Sequence, residues 1–366
     1  MSRTRTEIPF PRRWIRVSRW VGVAVLAAGL GAAAGPPHIP EKVPDGLGES
    51  EIIEMLKELR TDHALLRDVR LRRMLRYADA LVRRYPDSSF REDAQLLKLT
   101  ALSGLAATEA YYVPSLLEAT QSIAREAPAG RLADENAFFA IQAFVYGARL
   151  EAMPKERMLA GIKERYEAFL VDHPESPRVP LIMGSLVRNA IRREKMDEAR
   201  TWVDRMESAF PGERITQRAA GELRRTQSLN KPFTIEYTGN AGPPIKTADY
   251  KGKVVVFHLW TAWTDKGVAS LNPMARLYKS RGSESLQLLS LNLDRDSSRA
   301  KNLVEMKHLP WPQSFDKLGL QSDIALAYGI LRLPICFVID QAGVLRFVGD
   351  ADQLVEQATG LLRKGP

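Results

Sequence analysis

Leu259-Trp260-Thr261-Ala262-Trp263-Thr264-Asp265-Lys266-Gly267 is the stretch on which the reading of this chain turns. It follows the apolar run Val254-Val255-Val256-Phe257 and precedes an amphipathic segment, Val268–Tyr278. A short apolar run reads as a buried strand, and a 3.6-residue apolar period after it reads as a helix. The stretch is therefore the turn between a strand and a helix. Thr264 stands where a helix N-cap belongs, with a hydroxyl able to accept a backbone N–H of the first turn. A nucleophilic threonine would need a matched base, and no neighbouring residue supplies one.

Outward from this turn the pattern predicts an α/β domain. Strands are expected at Phe233–Tyr237, Lys253–Leu259, Leu286–Leu293, Ile335–Asp340 and Val344–Gly349, the last two joined by Gln341-Ala342-Gly343. Helices are expected over Val268–Arg281, from Ser298 to about His308, at a short segment closing at Ala325–Gly329, and over Asp352–Arg363. His258 lies within the second strand and reads as a hydrogen-bonded core histidine, with burial favouring its neutral form.

Upstream of a break at Ser228-Leu229-Asn230-Lys231-Pro232 the pattern is helical throughout. Met74, Tyr77, Ala78, Leu81, Val82 and Tyr85 recur at helical spacing and stop at Pro86-Asp87-Ser88. Met158, Leu159, Ile162, Tyr166, Phe169 and Leu170 do the same before His173-Pro174-Glu175-Ser176. So do Ala199, Trp202, Val203, Met206 and Phe210 before Pro211-Gly212. Each segment ends at an aromatic or histidine followed by proline, where a helix must stop. The spacing resembles degenerate tetratricopeptide-like repeats, paired helices that stack to bury their faces. That resemblance implies a concave surface for a peptide or protein; the plainer alternative is a bundle that supports its neighbour.

Residues 1–34 read as an export segment. Six arginines against one acid occupy residues 1–19, followed by the apolar run Trp20–Ala34. Its 15 residues fall short of the roughly 20 that span a bilayer. A basic start, an apolar middle and the small-residue end Ala32-Ala33-Ala34 describe a secretory signal, with a retained membrane anchor as the alternative. Residues 35–49, rich in proline and glycine, form a linker; 50–228 form the helical domain and 231–366 the α/β domain. Without the arginine arm the net charge of +9 falls to about +4, and no basic stripe is interleaved with aromatics. A nucleic-acid partner is therefore not expected. The single cysteine, Cys336, and five scattered histidines leave no intramolecular disulfide and no metal-ligand spacing. No cofactor is expected.

The α/β segment resembles the TlpA/ResA type of thioredoxin-fold domain. Ala248-Asp249-Tyr250-Lys251-Gly252-Lys253 resembles that family's entry to its first core strand, and Trp260-Thr261-Ala262-Trp263 its aromatic lead-in. Leu291-Asn292-Leu293-Asp294, Tyr328-Gly329-Ile330, Leu333-Pro334 and Phe337-Val338-Ile339-Asp340 match later elements. The resemblance implies a multidomain protein, an all-α helical domain followed by a thioredoxin-like fold, placed in the cell envelope. It also implies a cis bond at Pro334, beside which an extended substrate segment pairs by strand addition. Trp260, Trp263, Leu333, Pro334 and Ile335 would form an apolar binding patch there.

The departures matter more. The family's turn reads Cys-x-x-Cys, and Thr264 and Gly267 occupy those two positions. Dithiol exchange needs a thiolate nucleophile and a resolving thiol; a hydroxyl and a glycine supply neither. Cys336, flanked by Ile335 and Phe337, reads as a small buried hydrophobe. The competing reading is a thiol-disulfide oxidoreductase or redoxin acting through Cys336 or a partner's thiol. The sequence favours a redox-inactive, exported adaptor for peptide or protein partners.

Overall fold

The computed structural model describes residues 43–364 except 63 and 128. The export segment read at residues 1–34 lies outside the described residues. Among these, no helix is long and apolar enough to cross a membrane.

Among the described residues nine α-helices come first: α1 (Glu49–Thr61), α2 (Arg67–Arg84), α3 (Arg91–Ala106), α4 (Val113–Glu126), α5 (Arg131–Leu150), α6 (Lys155–Asp172), α7 (Val179–Arg192), α8 (Met196–Ala209) and α9 (Arg214–Gln227). Each packs on the next, and α3 also meets α5 as α7 meets α9. The periodic apolar residues face inward. Met74, Ala78 and Leu81 enter one core, while Leu159, Ile162, Tyr166, Phe169, Trp202, Val203 and Met206 enter a second. The pre-proline residues Tyr85, His173 and Phe210 cap α2, α6 and α8 with nearly the same backbone, φ −129°, −131° and −134°. A residue before proline is driven out of the helical region, which explains why unrelated side chains stop three helices alike.

The α/β elements follow: β1 (Glu236–Tyr237), β2 (Ile245–Lys246), β3 (Val254–Trp260), α10 (Asp265–Ser285), β4 (Leu286–Asn292), α11 (Ser298–Met306), β5 (Gln313–Phe315), α12 (Asp323–Ala327), β6 (Ile335–Ile339), β7 (Leu345–Gly349) and α13 (Ala351–Lys364). The five-stranded sheet has the order β5-β4-β3-β6-β7. β3, β4 and β5 run parallel; β6 and β7 are antiparallel to their neighbours. The central strands are buried on both faces, so they read as unbroken apolar runs. Val255, Phe257, Leu259, Phe337 and Ile339 face α12 and the entry segment, while Val254, Val256, Cys336 and Val338 face the α10 and α13 side.

Two short strands, β2 and β5, were not anticipated. β5 is only Gln313–Phe315, too short for a periodic signal; its parallel pairing to β4 creates it. Each outer edge of the sheet is paired locally. Asn230 N–H donates to Leu345 O at 2.8 Å, and Leu345 N–H to Lys231 O at 3.0 Å, along β7. Ala241 exchanges both backbone hydrogen bonds with Phe315 on β5, at 3.2 and 2.8 Å. This local pairing shortens the template for unwanted strand addition.

The helical and α/β parts meet on one stripe of α9. Arg218, Gly221, Glu222 and Arg225 share a helix face by their spacing. A Cβ on Gly221 would lie 2.2 Å from Leu326 O, and one on Gly329 would lie 2.3 Å from Glu222 N. Backbone therefore packs on backbone there. Arg218 donates to Leu320 O at 2.8 Å, Arg224 to Ala327 O at 3.0 Å, and Arg225 to Tyr328 O at 3.0 Å and Gly329 O at 3.2 Å. Three arginines thus satisfy carbonyls that the short α12 region would leave unpaired.

Candidate functional site

The ends of β3, β4 and β5 and the start of β6 lie at one end of the sheet, by their register. The connecting loops gather there, where ligands of such sheets commonly bind. The first loop is the Thr261–Thr264 turn, held by Asp294. That buried carboxylate accepts from the Thr261 hydroxyl, from Ala262 N–H at 2.8 Å and from Asn292 Nδ2 at 3.0 Å. Thr261 Oγ1 in turn accepts from Trp263 N–H at 3.3 Å. The clamp was not foreseen. Its signal was the pair Asn292 and Asp294 directly after an apolar strand, short polar side chains apt to bind local backbone.

Thr264 is the N-cap of α10: its side chain accepts from Gly267 N–H at 3.1 Å, and its carbonyl accepts from Val268 N–H at 3.1 Å. Gly267 is closed in. A Cβ at this position would lie 1.9 Å from Thr261 O and 3.0 Å from Thr264 Oγ1. The second family cysteine position therefore lacks not only a thiol but the space for any side chain.

Behind the turn runs a chain of hydrogen bonds. Trp311 Nε1–H donates to Ser290 Oγ at 2.8 Å, which stands 3.4 Å from His258 Nδ1. His258 Nε2 is 3.0 Å from Ser270 Oγ, whose hydroxyl donates to Gly267 O at 2.6 Å. Because Ser270 spends its proton on that carbonyl, Nε2 must carry the ring proton and Nδ1 must accept. Burial pushes the His258 pKa down to about 3, so the ring is neutral. It braces Gly267 from within and faces no solvent.

Cys336 pairs with His258 across β3 and β6 and is fully buried. Burial, aided by the Asp350 charge, raises its pKa far above the ordinary thiol range. A thiolate there is disfavoured and out of reach of a protein substrate. Among the described residues no group of three His, Cys, Asp or Glu side chains is placed to hold a metal ion.

The expected apolar patch divides. The Leu333–Pro334 bond is cis, Leu333 and Pro334 are half-buried, and Trp263 is 69% exposed. Trp260 and Ile335, however, belong to the core. Trp260 ends β3 and turns inward onto Leu271, Ala300 and Phe315; Ile335 opens β6 and joins the Phe257–Phe337 side. Both sit on central strands covered on both faces, so either direction of the alternation leads into a core. The loops at the same end of the sheet add Leu318 and Leu331, 53% and 43% exposed. Isolated apolar residues in loops show no period, so neither was legible beforehand.

A family model described as the AhpC/TSA family matches residues 230–348. The thiol-disulfide oxidoreductase ResA of Bacillus thuringiensis subsp. konkukian is 29% identical over 123 residues, 34% of this chain and 69% of the relative. ResA of Bacillus anthracis is 30% identical over 125 residues, again 34% and 69%. A thiol:disulfide interchange protein of Chlorobium tepidum aligns at 17% identity over 37% of this chain and 97% of its own, with a TM-score of 0.31. Through its C-terminal domain the chain belongs to the AhpC/TSA thioredoxin-fold family and is homologous to the ResA/TlpA-type thiol-disulfide oxidoreductases.

Proposed function

We propose that this protein is an exported, cell-envelope adaptor whose thioredoxin-like domain no longer exchanges dithiols and binds an extended peptide or protein segment instead. The observation that carries this reading is Gly267. A backbone carbonyl stands where a cysteine Cβ would need to be, and the only thiol is buried with its pKa raised. The binding surface is Trp263, Leu318, Leu331, Leu333 and Pro334, where strand addition beside Pro334 needs no cysteine. The preceding helices, read as tetratricopeptide-like, present a second protein-binding surface and hold the first in place. Residues 1–34 direct the chain out of the cytoplasm, by a cleaved signal or as an anchor.

The names of the relatives suggest an oxidoreductase, and the test separates the two. Purified protein is assayed for insulin reduction with dithiothreitol, beside Cys336→Ser. No turnover above the reductant alone is expected from either. Turnover that vanishes in the Cys336→Ser variant would sink the adaptor reading. Trp263→Ala, at an exposed position, is expected to weaken binding of an extended apolar peptide at least about tenfold by fluorescence anisotropy.

A further inference from the structure

Several arginines of the helical part are ion-paired: Arg72 with Glu109 at 2.6 Å, Arg178 with Glu135 at 2.6 Å, Arg193 with Glu198 at 3.2 Å. Those of the α9 docking stripe and the α7 face beside it are not. Among the described residues none of Arg188, Arg192, Arg214, Arg218 and Arg225 has a carboxylate within ion-pair distance. Arg188 and Arg192 lie one turn apart on α7, as Arg214 and Arg218 do on α9, and α7 packs on α9. Arg218 and Arg225 spend donors on the 320–329 carbonyls. Arg192 and Arg214 are exposed and Arg188 is half-buried.

These charges act on one another. Arg218 feels repulsion from Arg188 and Arg214, and Arg225, drawn by Glu222, also feels it from Arg332. The carboxylate among them, Glu222, is largely withdrawn from solvent, with Oε2 lacking a partner and its pKa raised by burial. Arg225 links the α9 stripe electrostatically to Arg332. The Arg332 side chain is 79% exposed, is held only by Asp350 at 3.6 Å, and adjoins Leu333 and Pro334. Net positive charge that Glu222 offsets only in part is a cost in the free protein that an anionic partner removes, and arginine is favoured where a partner docks.

We infer that this arginine strip receives an acidic stretch of the same polypeptide whose apolar segment lies on the Trp263–Pro334 face. The inference rests on the peptide-binding reading above and names the partner's chemistry: an extended chain, apolar over the sheet end and rich in aspartate or glutamate beside it. A polypeptide is favoured over a lipid surface because the strip is continuous with a loop suited to backbone pairing.

The test uses the full chain and fluorescein-labelled peptides with one extended Val/Leu/Phe core, flanked at either end by a run of glutamates or of glutamines. At about 50 mM salt one glutamate peptide is expected to bind at least about tenfold more tightly than its glutamine twin. The advantage should shrink at about 300 mM salt, where screening shortens the reach of the field. It should also be lost in R188E/R192E and reduced in R332E, a substitution at an exposed position that guards against misfolding of the first variant. Affinities within twofold for the two peptides, or an advantage intact in both variants, would overturn the acidic preference and leave the adaptor reading standing. If neither peptide binds, the Pro334-face reading fails and this inference with it. Sedimentation with phosphatidylglycerol vesicles, without any peptide preference, would overturn it in favour of a lipid surface.

Discussion

A side chain at position 267 meets the Thr261 carbonyl before it meets anything it could react with. Restoring the family motif as T264C/G267C should therefore fail twice. Insulin reduction should stay at background, and the urea midpoint should fall by the equivalent of about 3 kcal/mol, the cost of forcing atoms into a filled site. A midpoint unchanged from the parent would mean that the turn opens readily. His258 offers a second test, with a definite sign. Its folded pKa of about 3 lies below the ordinary value of 6.5, so between these values the unfolded chain binds a proton that the folded chain refuses. Stability is thus lost as pH falls from about 6.5 toward 3, by about 1.4 kcal/mol per pH unit from this one ring. His258→Gln should flatten the slope of unfolding free energy between pH 6.5 and 5 by that amount. Parallel slopes for the two proteins would refute the neutral, sealed histidine.

α9 belongs to two cores at once. Ala219 and Leu223 pack among α6, α7 and α8, while Gly221 and the arginines grip the 320–329 segment. Gly329 makes this possible in two ways. Its φ of +58° suits glycine, and its bare Cα admits the α9 backbone. Gly329→Ala should therefore lower stability by at least about 2 kcal/mol in chemical denaturation, from the left-handed conformation and the contact together. It should also weaken peptide binding at Pro334, because Leu331–Pro334 follow directly. Unaltered peptide affinity in a folded Gly329→Ala protein would show that the loop does not depend on α9.

The described residues form one compact unit, although the chain changes composition and period near residue 230. The docking described above ties the helical part to the loop that carries Pro334, so neither should unfold far ahead of the other. Hydrogen exchange under increasing denaturant should show α8 and β3 opening at the same midpoint. Two well-separated midpoints would show parts that fold independently, and the arginine contacts would then be a weak surface encounter.

The sequence by itself determined the α/β elements that bury apolar runs, the three pre-proline helix stops, the capping role of Thr264 and the absence of a cysteine pair. All of these depend on neighbours in the chain, on periodicity or on residue type, and so are written locally. Tertiary structure alone decided that Gly267 is shut against Thr261 O, that Asp294 clamps the turn from 32 and 33 residues away, and that Trp260 and Ile335 point inward. It also decided that arginines of α7 and α9 gather around Glu222 and that Arg225 reaches toward Arg332. Each of these requires groups distant in sequence to meet. Thr264 and Gly267 stand where the family's two cysteines would, and only the packing around them shows that position 267 is closed to a side chain.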